Sequence, residues 1–316
     1  MKTDKITNIP ALMHSGKTIL AVGSIAIDTL ETPNGNRKNI LGGSASYFSM
    51  AAGLLAPVKL VGVVGDDYPE EGWQMFKLRS INTDNVHIES GKTFRWGGKY
   101  SDDYTTRDTL FTELGVFEKF SPKIKKEDCT SPLVFLGNIQ PDLQLAVAKL
   151  TSKAEYIVSD TMNLWIDLFP DRLDEVLSRT TIFLINHEEA QQYTGESDIS
   201  NAAKKLLTAG PEIVVIKLGA EGAFLATENN EVFIPVYPVE QVLDPTGAGD
   251  SFAGGFMGYL AQTNAPDFID AVVMGSAMAS FCVEGFGLES LLLATPMLLN
   301  DRVEKIKFCL HEGVQL

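Results

Sequence analysis

The segment DPTGAGDSFAGGF, residues 244–256, contains residue types that bind an anionic group and transfer a proton beside it. Gly247, Ala248 and Gly249 leave little side-chain bulk over the backbone, and Thr246 before them is the predicted N-cap of a helix. The N–H groups of a first helical turn, together with the positive end of the helix dipole, bind anions. The segment therefore predicts an anion site at the start of a helix.

Asp250 is the unusual residue of this segment, because a carboxylate beside an anion site repels the ligand. A site that only bound an anion would avoid an acid there, whereas a catalytic base beside a transferring phosphoryl group requires one. The structural alternative is that Asp250 only complements the helix dipole. At a helix N-terminus we expect this carboxylate to be ionised at neutral pH and to be a weak base.

Three further glycines, Gly254, Gly255 and Gly258, fall inside the predicted helix. Each costs on the order of 1 kcal/mol relative to alanine in a helix interior. We therefore expect other atoms to approach the backbone of this helix closely.

Apolar runs and amphipathic segments alternate along the chain and predict the elements that position these residues. Runs that are apolar on both faces favour strands of a parallel sheet covered by helices. The predicted strands are 18–28, 58–65, 133–137, 155–160, 181–186 and 212–219. The predicted helices between them include 142–150, 172–179 and 201–210. This alternation indicates a doubly wound α/β fold, with residues 1–316 as a single domain.

Polar residues or a glycine stand at or just past the end of each predicted strand. They are Asp28, Asp66, Asn138, Asp160, Asn186 and Gly219. Ligands of open parallel sheets bind outside the carboxyl ends of the strands. Any one of these residues has the alternative role of capping the following helix, but together they indicate a ligand site at that edge.

Two segments depart from the α/β pattern. Residues 90–120 hold aromatic and polar residues without a helical period, which predicts two or three antiparallel strands of a small extra sheet. Residues 30–41, with a turn at Pro33, Asn34 and Gly35, add a further strand. We expect this small sheet to be a mobile lid over the active edge. A ribbon that forms a homodimer is the alternative, and one sheet can do both.

Composition limits the partners and the compartment. The chain has 26 Lys and Arg against 41 Asp and Glu, a net charge of −15, which argues against nucleic acid or an anionic membrane as a partner. The N-terminus lacks the pattern of a signal peptide, and no apolar run reaches the length of a membrane span. Cys129, Cys282 and Cys309 have no metal-ligand spacing and are expected to be reduced, buried thiols. These features predict a cytoplasmic protein.

The glycine-rich segment resembles the second signature of the ribokinase/phosphofructokinase-B (PfkB) family of carbohydrate kinases, and the resemblance spans residues 17–310. LGGSASYFSMAAGLLAP (41–57) resembles the first signature of that family. NHEE (186–189) matches its Asn-x-x-Glu motif, and KLGAEGAF (217–224) resembles its nucleotide loop. The predicted lid also falls where such kinases carry theirs. The resemblance therefore implies a ribokinase-like fold with a small β-sheet lid.

The resemblance also implies a reaction. Asp250 would take a proton from a sugar hydroxyl as that hydroxyl attacks the γ-phosphate of ATP. The anion hole would consist of the backbone N–H groups of Gly247, Ala248 and Gly249. Asn186 and Glu189 would organise Mg²⁺ through water. The nucleotide would be bound by Lys217, Gly219, Gly222, Thr246 and Ser276. Asp244 belongs to the monovalent-cation region of the family, which leaves K⁺ open as a further cofactor.

On the acceptor side, the resemblance implies that Asp28 accepts hydrogen bonds from sugar hydroxyls. The full acceptor site would be Asp28, Gly42, Gly43, Tyr47, Trp96 and Asn138. Many family members have an amide side chain where Ala26 and Tyr47 stand, and ribokinase has a lysine where Ser44 stands. The loss of these hydrogen-bonding groups argues against ribose itself. Tyr47 has three open roles: stacking on a ring, donating from its hydroxyl, or packing in the core.

The leading hypothesis is ATP-dependent transfer of the γ-phosphate to a hydroxymethyl group of a sugar. The alternative is a nucleoside kinase, in which Tyr47, Phe94 and Trp96 would stack on a base, although lid packing or a dimer contact also explains these aromatics. An inactive, regulatory relative is less favoured, because the GAGD segment, Asn186 and Glu189 are intact. A dehydrogenase is disfavoured, because GSIAID lacks the three-glycine dinucleotide fingerprint.

Overall fold

The computed structural model describes residues 16–104 and 106–312. The signal-peptide expectation rests mainly on residues outside this range, and Thr105 of the predicted lid also lies outside it. The strands are β1 (Ile19–Val22), β2 (Ala26–Thr32), β3 (Gly35–Gly42), β4 (Val58–Gly65), β5 (Asn82–Glu89), β6 (Phe94–Tyr100), β7 (Arg107–Glu113), β8 (Leu133–Leu136), β9 (Tyr156–Ser159), β10 (Ile182–Asn186), β11 (Ile213–Lys217), β12 (Ala223–Thr227) and β13 (Glu231–Ile234). The helices are α1 (Ser44–Ala52), α2 (Glu70–Leu78), α3 (Pro141–Leu150), α4 (Asn163–Leu168), α5 (Pro170–Leu177), α6 (His187–Thr194), α7 (Ile199–Thr208), α8 (Ala248–Ala261), α9 (Phe268–Cys282), α10 (Glu289–Leu293) and α11 (Pro296–Glu312).

The large sheet has nine strands within the described residues, in the order β13-β12-β11-β10-β9-β8-β1-β4-β5. The strands from β11 to β5 in this order pair in parallel, and only β12 and β13 are antiparallel. Helices connect most of the parallel strands. The predicted doubly wound, mostly parallel α/β fold is therefore confirmed.

Both faces of the large sheet are buried, which explains why its strands are apolar without alternation. In β1, Ile19 and Ala21 pack in one core cluster with residues of α1, α8 and α9. Leu20 and Val22 point to the opposite face and pack in a second cluster with residues of α3. All four side chains are 0% exposed. The sheet is therefore a rigid layer that fixes the loops at its carboxyl edge.

Helix α8 is packed tightly between α1 and α9. A Cβ atom at Gly254 would lie 2.6 Å from the carbonyl oxygen of Phe48 in α1, and one at Gly255 would lie 2.7 Å from that of Met274 in α9. A Cβ atom at Gly258 would lie 2.6 Å from a leucine side chain. The expected close approach to this backbone is confirmed, and it is made by neighbouring helices.

The small sheet has the order β3-β2-β6-β7. Strands are present in both predicted segments, and the antiparallel pair predicted within 90–120 is confirmed, because β6 and β7 pair antiparallel. Strand β2, which extends into 30–41, pairs with β6 in parallel. The chain forms the β2–β3 hairpin, continues through α1, β4, α2 and β5, and returns as β6 beside β2. Thr32 pairs with Gly35, so the hairpin turn consists of Pro33 and Asn34.

The predicted strand 18–28 is two strands in different sheets. β1 ends at Val22, and β2 belongs to the small sheet. Between them Ser24 and Ser44 bond reciprocally, with the Ser24 N–H donating to Ser44 Oγ at 3.1 Å and the Ser44 N–H to Ser24 Oγ at 3.0 Å. This contact ties the chain to the start of α1 and ends the first strand. The expectation that Asp28 stands at the end of that strand is therefore wrong, because Asp28 lies within β2.

Strand β7 is an edge strand of the small sheet, and all seven of its residues are exposed, including Leu110 and Phe111. An exposed edge strand that carries two apolar side chains suits a lid and also suits pairing with another chain. Both roles stay predictions.

The three cysteines are free thiols. Cys282 and Cys309 are buried as expected, but Cys129 is partly exposed, because it lies in a short turn at 128–130 on the surface. Within the described ranges, no helix is long and apolar enough to cross a lipid bilayer.

Candidate active site

The start of α8 has the backbone geometry of an anion site. Its N-cap is Gly247, whose φ of 76° and ψ of 4° lie in the left-handed region that favours glycine. A Cβ atom there would lie 2.2 Å from the ring of Tyr47. The prediction that Thr246 is the N-cap is wrong, because its hydroxyl is instead 2.8 Å from that of Tyr100. No described side chain caps this helix. The Ala248 N–H donates to the carbonyl oxygen of Pro245 at 3.2 Å, whereas the N–H groups of Gly247 and Gly249 have no partner among the described residues and are available to a ligand.

Asp250 lies in the first turn of α8, beside an ion pair. The Nζ of Lys217 is 3.1 Å from Oδ2 of Asp160. A Cβ atom at Gly249 would lie 3.0 Å from the same Nζ, so glycine lets the ammonium group approach the helix start. Burial opposes the charge of Lys217, but Asp160 and Glu189 outweigh it and raise its pKa. The predicted anion site therefore combines backbone N–H groups with a nearby positive charge.

Burial is the main cause that raises the pKa of Asp250 from 3.8 to about 7; the carboxylates of Asp160 and Glu189 act in the same direction, and Lys217 and Arg107 act in the opposite direction. The expectation that Asp250 is fully ionised at neutral pH is therefore wrong. Removal from water and neighbouring negative charge outweigh the helix dipole. The raised pKa makes Asp250 a stronger base than an exposed aspartate.

Asn186 and Glu189 form the capping box of α6. The Glu189 N–H donates to Asn186 Oδ1 at 2.8 Å, and the Asn186 N–H donates to Glu189 Oε2 at 3.1 Å. Burial and the carboxylate of Asp160 raise the pKa of Glu189 to about 7. The Asn-x-x-Glu spacing thus has a structural role, and it also holds Glu189 within the electrostatic field of Asp160 and Lys217.

The loop between β11 and β12 requires glycine at both predicted nucleotide positions. Gly219 has a φ of 59°, and no described atom lies within 4 Å of a Cβ placed there. Gly222 has a φ of 117°, and a Cβ atom would lie 2.3 Å from the carbonyl oxygen of Ile234. The loop is therefore closed on one side and open beside Gly219. Ser276 lies in α9 and is 4% exposed.

Asp28 is buried on the small sheet, and the Gly42–Gly43 pair at the end of β3 lies against it and its neighbouring backbone. A Cβ atom at Gly42 would lie 1.9 Å from Oδ2 of Asp28, so Asp28 itself makes the close approach at this position. Gly43 has a φ of 92° and would place a Cβ atom 2.5 Å from the carbonyl oxygen of Ser24. The Gly-Gly pair therefore gives the Asp28 carboxylate its place.

Burial is the main cause that raises the pKa of Asp28 to about 8. The carboxylates of Asp244 and Asp250 act in the same direction, and a hydrogen bond from the Gly43 backbone acts in the opposite direction. Ionisation of the Asp28 carboxyl is therefore costly in its buried position.

Tyr47 is 1% exposed, and its ring lies under Gly247. Among the three roles left open by the sequence, this packing favours the core role for the ring. Its buried hydroxyl has no hydrogen-bond partner among the described residues. Asp244 is also buried, and its carboxylate accepts from the N–H of Thr246 at 2.9 Å and of Gly287 at 3.0 Å.

Trp96 lies beside Asp28, because the two residues are paired across β2 and β6. The guanidinium of Arg107 is 5.1 Å from the Trp96 ring centroid. Phe94 instead stacks on Phe117, with centroids 5.6 Å apart, which favours the lid-packing role for Phe94. Trp96 is therefore the aromatic residue of the small sheet that the structure brings beside Asp28, the predicted acceptor residue.

Asn138 accepts a hydrogen bond at its Oδ1 from Trp165 Nε1, at 2.8 Å. This hydrogen bond fixes the Asn138 side chain, just after β8, and occupies its amide oxygen. Its role in acceptor binding stays a prediction.

Two charged residues of the site were not assigned from the sequence. Asp160 was noted only as a polar residue after a strand, and its partner Lys217 lies 57 positions away. Arg107 begins β7 and acts electrostatically on both Asp250 and Glu189. The available signal for Arg107 was a lone cation between threonines in an aromatic segment, which by itself does not place it near the anion site.

The raised pKa values predict how stability depends on pH. Asp28, Asp250 and Glu189 have pKa values of about 8, 7 and 7, well above the ordinary carboxyl values. Between about pH 4 and pH 8 the folded protein therefore keeps protons that the unfolded chain has released, so the free energy of unfolding falls as pH rises. Urea unfolding of the unliganded protein across this range measures the slope.

Asp28→Asn is the matched variant for this prediction. It removes one titrating group, so we expect the fall in stability between about pH 5.5 and pH 8 to be smaller than in the wild type. An unchanged slope in Asp28→Asn would contradict the assigned pKa.

Comparisons with known proteins agree with this fold. Residues 17–294 match the model of the pfkB family carbohydrate kinases. A cytidine kinase of Thermococcus kodakarensis is 32% identical over 246 residues, which cover 76% of this chain and 87% of that protein.

Two solved structures share the fold. A nucleoside kinase of Burkholderia thailandensis in complex with inosine has a TM-score of 0.78 at 19% identity, covering 91% of this chain and 97% of that chain. An E. coli protein in complex with ATP and Mg²⁺ has a TM-score of 0.78 at 18% identity, covering 92% and 99% of the two chains. The motifs, the fold and the family match lead to one conclusion: the chain belongs to the pfkB family of carbohydrate kinases.

Proposed function

We propose that this protein transfers the γ-phosphate of ATP to the hydroxymethyl group of a nucleoside. A phosphotransferase with a hydroxyl acceptor is the common activity of the family. The observation that carries the proposal is the placement of Asp250 in the first turn of α8, beside the uncapped N–H groups of Gly247 and Gly249.

Asp250 acts as the base in this proposal. Its pKa of about 7 leaves a substantial ionised fraction at neutral pH and makes that fraction a competent proton acceptor. Its place beside the N–H groups brings the acceptor hydroxyl and the phosphoryl group to the same point. Proton transfer and phosphoryl transfer are thereby coupled in space.

The N–H groups of the α8 start and the Lys217 ammonium stabilise negative charge on the transferring group. Asp160 holds Lys217 in place, because the two side chains form a largely buried ion pair. Arg107, on β7, adds positive charge from the small sheet. Positive charge therefore reaches the transferring phosphoryl group from Lys217 on the large sheet and from Arg107 on the small sheet.

The donor set fits Mg²⁺ held through water. Asp160, Glu189 and Asp250 place three carboxylates around one lysine, Lys217, and a divalent cation offsets the excess negative charge. Among the described residues, no three His, Cys, Asp or Glu side chains converge to hold a metal directly. This suits Mg²⁺, which keeps several waters and uses few carboxylates together with nucleotide phosphates. When bound, Mg²⁺ neutralises phosphate charge.

Asp28 binds the acceptor in this proposal. A carboxylate accepts two hydroxyl hydrogen bonds from neighbouring positions of one ring. Asp28 lies on the small sheet and acts electrostatically with Asp250, so the acceptor ring lies between the sheet and the start of α8. This arrangement also explains the proposed lid, because closing the small sheet removes water from the transferring phosphoryl group.

The 32% identical cytidine kinase favours a nucleoside over a free sugar. Trp96, paired with Asp28 across the sheet, is positioned to stack on a base. A free sugar is the second candidate, supported by Arg107, which already covers the Trp96 ring.

A screen that couples ADP formation to a spectroscopic signal decides between these acceptors. We expect turnover with ATP, Mg²⁺ and one or more nucleosides, with free sugars much slower. Trp96→Leu is then expected to cost on the order of 1–3 kcal/mol of nucleoside binding, as for other base-stacking platforms. Phosphorylation of free sugars alone would contradict the nucleoside proposal and leave the sugar kinase.

A further inference from the structure

The small sheet is fastened to the segment that leads into α8. Residues 241–246 are here called the anchor loop. Asn34, at the tip of the β2–β3 hairpin, bonds to this loop through both side-chain atoms. Its Nδ2 donates to the carbonyl oxygen of Val242 at 2.8 Å, and its Oδ1 accepts from Gln241 Nε2 at 2.9 Å.

Two tyrosines of the small sheet extend this contact. The hydroxyl of Tyr104 accepts from Asn34 Nδ2 at 2.7 Å and donates to the carbonyl oxygen of Leu243 at 3.0 Å. The hydroxyl of Tyr100 is 2.8 Å from Oγ1 of Thr246. Asn34, Tyr100 and Tyr104 are here called the latch.

Tyr104 shows that the latch is a specific contact. Its φ of 60° lies in the left-handed region, which is unfavourable for a bulky side chain. The two hydrogen bonds of its hydroxyl and its ring contact with Tyr100, at a centroid distance of 6.0 Å, hold it in that conformation.

The opposite side of the anchor loop is held by the core. The Leu243 N–H donates to the carbonyl oxygen of Val283 at 2.8 Å, and Asp244 accepts from the Gly287 N–H at 3.0 Å. Gly247, the N-cap of α8, follows the loop directly. The position of the anion site thus depends on a loop that is gripped by the core on one side and by the small sheet on the other.

We propose that Asn34, Tyr100 and Tyr104 are positioning residues, which transmit closure of the small sheet over the acceptor to the anion hole through the anchor loop. This rests on the proposed function. The latch touches neither phosphate nor acceptor in this account. It restrains the loop, and the restrained loop aims the N–H groups of α8. Loss of one latch bond therefore affects the transfer step more than the binding of ATP.

Tyr104→Phe and Tyr100→Phe each remove a hydroxyl and retain the ring. Since one hydrogen bond contributes about 1 kcal/mol, we expect kcat to fall by about 5- to 10-fold in each, with KM for ATP changed by less than about 2-fold. Tyr193→Phe is the matched control, because it removes an exposed hydroxyl on α6 that donates to Asp174 on α5. We expect its kcat and KM to equal those of the wild type.

Hydrogen exchange gives a readout that needs no turnover. In the unliganded protein, amides 242–250 are expected to exchange faster in Tyr104→Phe and in Asn34→Ala than in the wild type and Tyr193→Phe. Unchanged exchange in both variants, together with unchanged kcat, would overturn the latch. If the wild type phosphorylates no acceptor, but amides 242–250 still exchange faster in the latch variants than in the wild type, the proposed function is overturned and the latch contact stands.

Discussion

Asp250→Asn is expected to lower kcat by about 10²–10⁴-fold while ATP binds with nearly wild-type affinity. Asparagine preserves the shape of the side chain and the uncapped helix start, but it cannot accept the proton of the attacking hydroxyl. Steady-state kinetics with the acceptor found in the screen measures kcat, and equilibrium titration measures nucleotide affinity. Removing the carboxylate also removes repulsion of the phosphates, so ATP affinity has no reason to fall.

Asp267→Asn provides the control for this variant. Asp267 is the N-cap of α9, where its side chain accepts from the N–H groups of Ile269 and Asp270. Asparagine is about as good an N-cap as aspartate, so we expect wild-type turnover. Near-wild-type kcat in Asp250→Asn would contradict the assignment of the base.

Asp28→Ala is expected to lower kcat/KM for the acceptor by about 10²–10⁴-fold, chiefly through KM. The carboxylate is proposed to accept two hydroxyl hydrogen bonds, and each hydrogen bond to a charged group is worth about 1.5–3 kcal/mol. ATP binding is expected to change little, because Asp28 lies on the small sheet. Initial rates at varied acceptor and saturating ATP measure the effect.

Asp108→Ala is the control for Asp28→Ala, since Asp108 is an exposed residue of β7 in the same small sheet. Its loss is expected to leave kcat/KM unchanged. An Asp28→Ala enzyme with wild-type acceptor KM would contradict the proposed acceptor site.

The large sheet is predictable from the sequence because its signal is local. The apolar run 58–65 coincides with β4 residue for residue. The run 18–28 is equally apolar, but it divides between two sheets because Ser24 and Ser44, 20 positions apart, bond to each other. The parallel pairing of β2 with β6 likewise depends on where the chain returns, and no periodicity in either segment encodes it.

In the site, too, features encoded by neighbouring residues are predictable and contacts between distant residues are not. The anion turn and Asp250 lie within one short motif, so the sequence predicts them together. The partner of the Thr246 hydroxyl is Tyr100, 146 positions away, which is why the predicted N-cap was wrong. The protonation of Asp250 depends on Asp160, Glu189 and burial, charges and packing that come from separate strands and loops. The distances between these groups are set by the fold, so the sequence alone does not predict the pKa of Asp250.

The most direct test of the central claim is the fate of the γ-phosphate. The wild type and Asp250→Asn are incubated with Mg²⁺, ATP and the nucleoside that gives the highest turnover, and the products are examined by ³¹P NMR. The account predicts that the wild type forms a phosphate ester on the hydroxymethyl oxygen of the nucleoside and that Asp250→Asn forms little of it. Inorganic phosphate as the only product of the γ-phosphate, or equal ester formation by both proteins, would contradict the account.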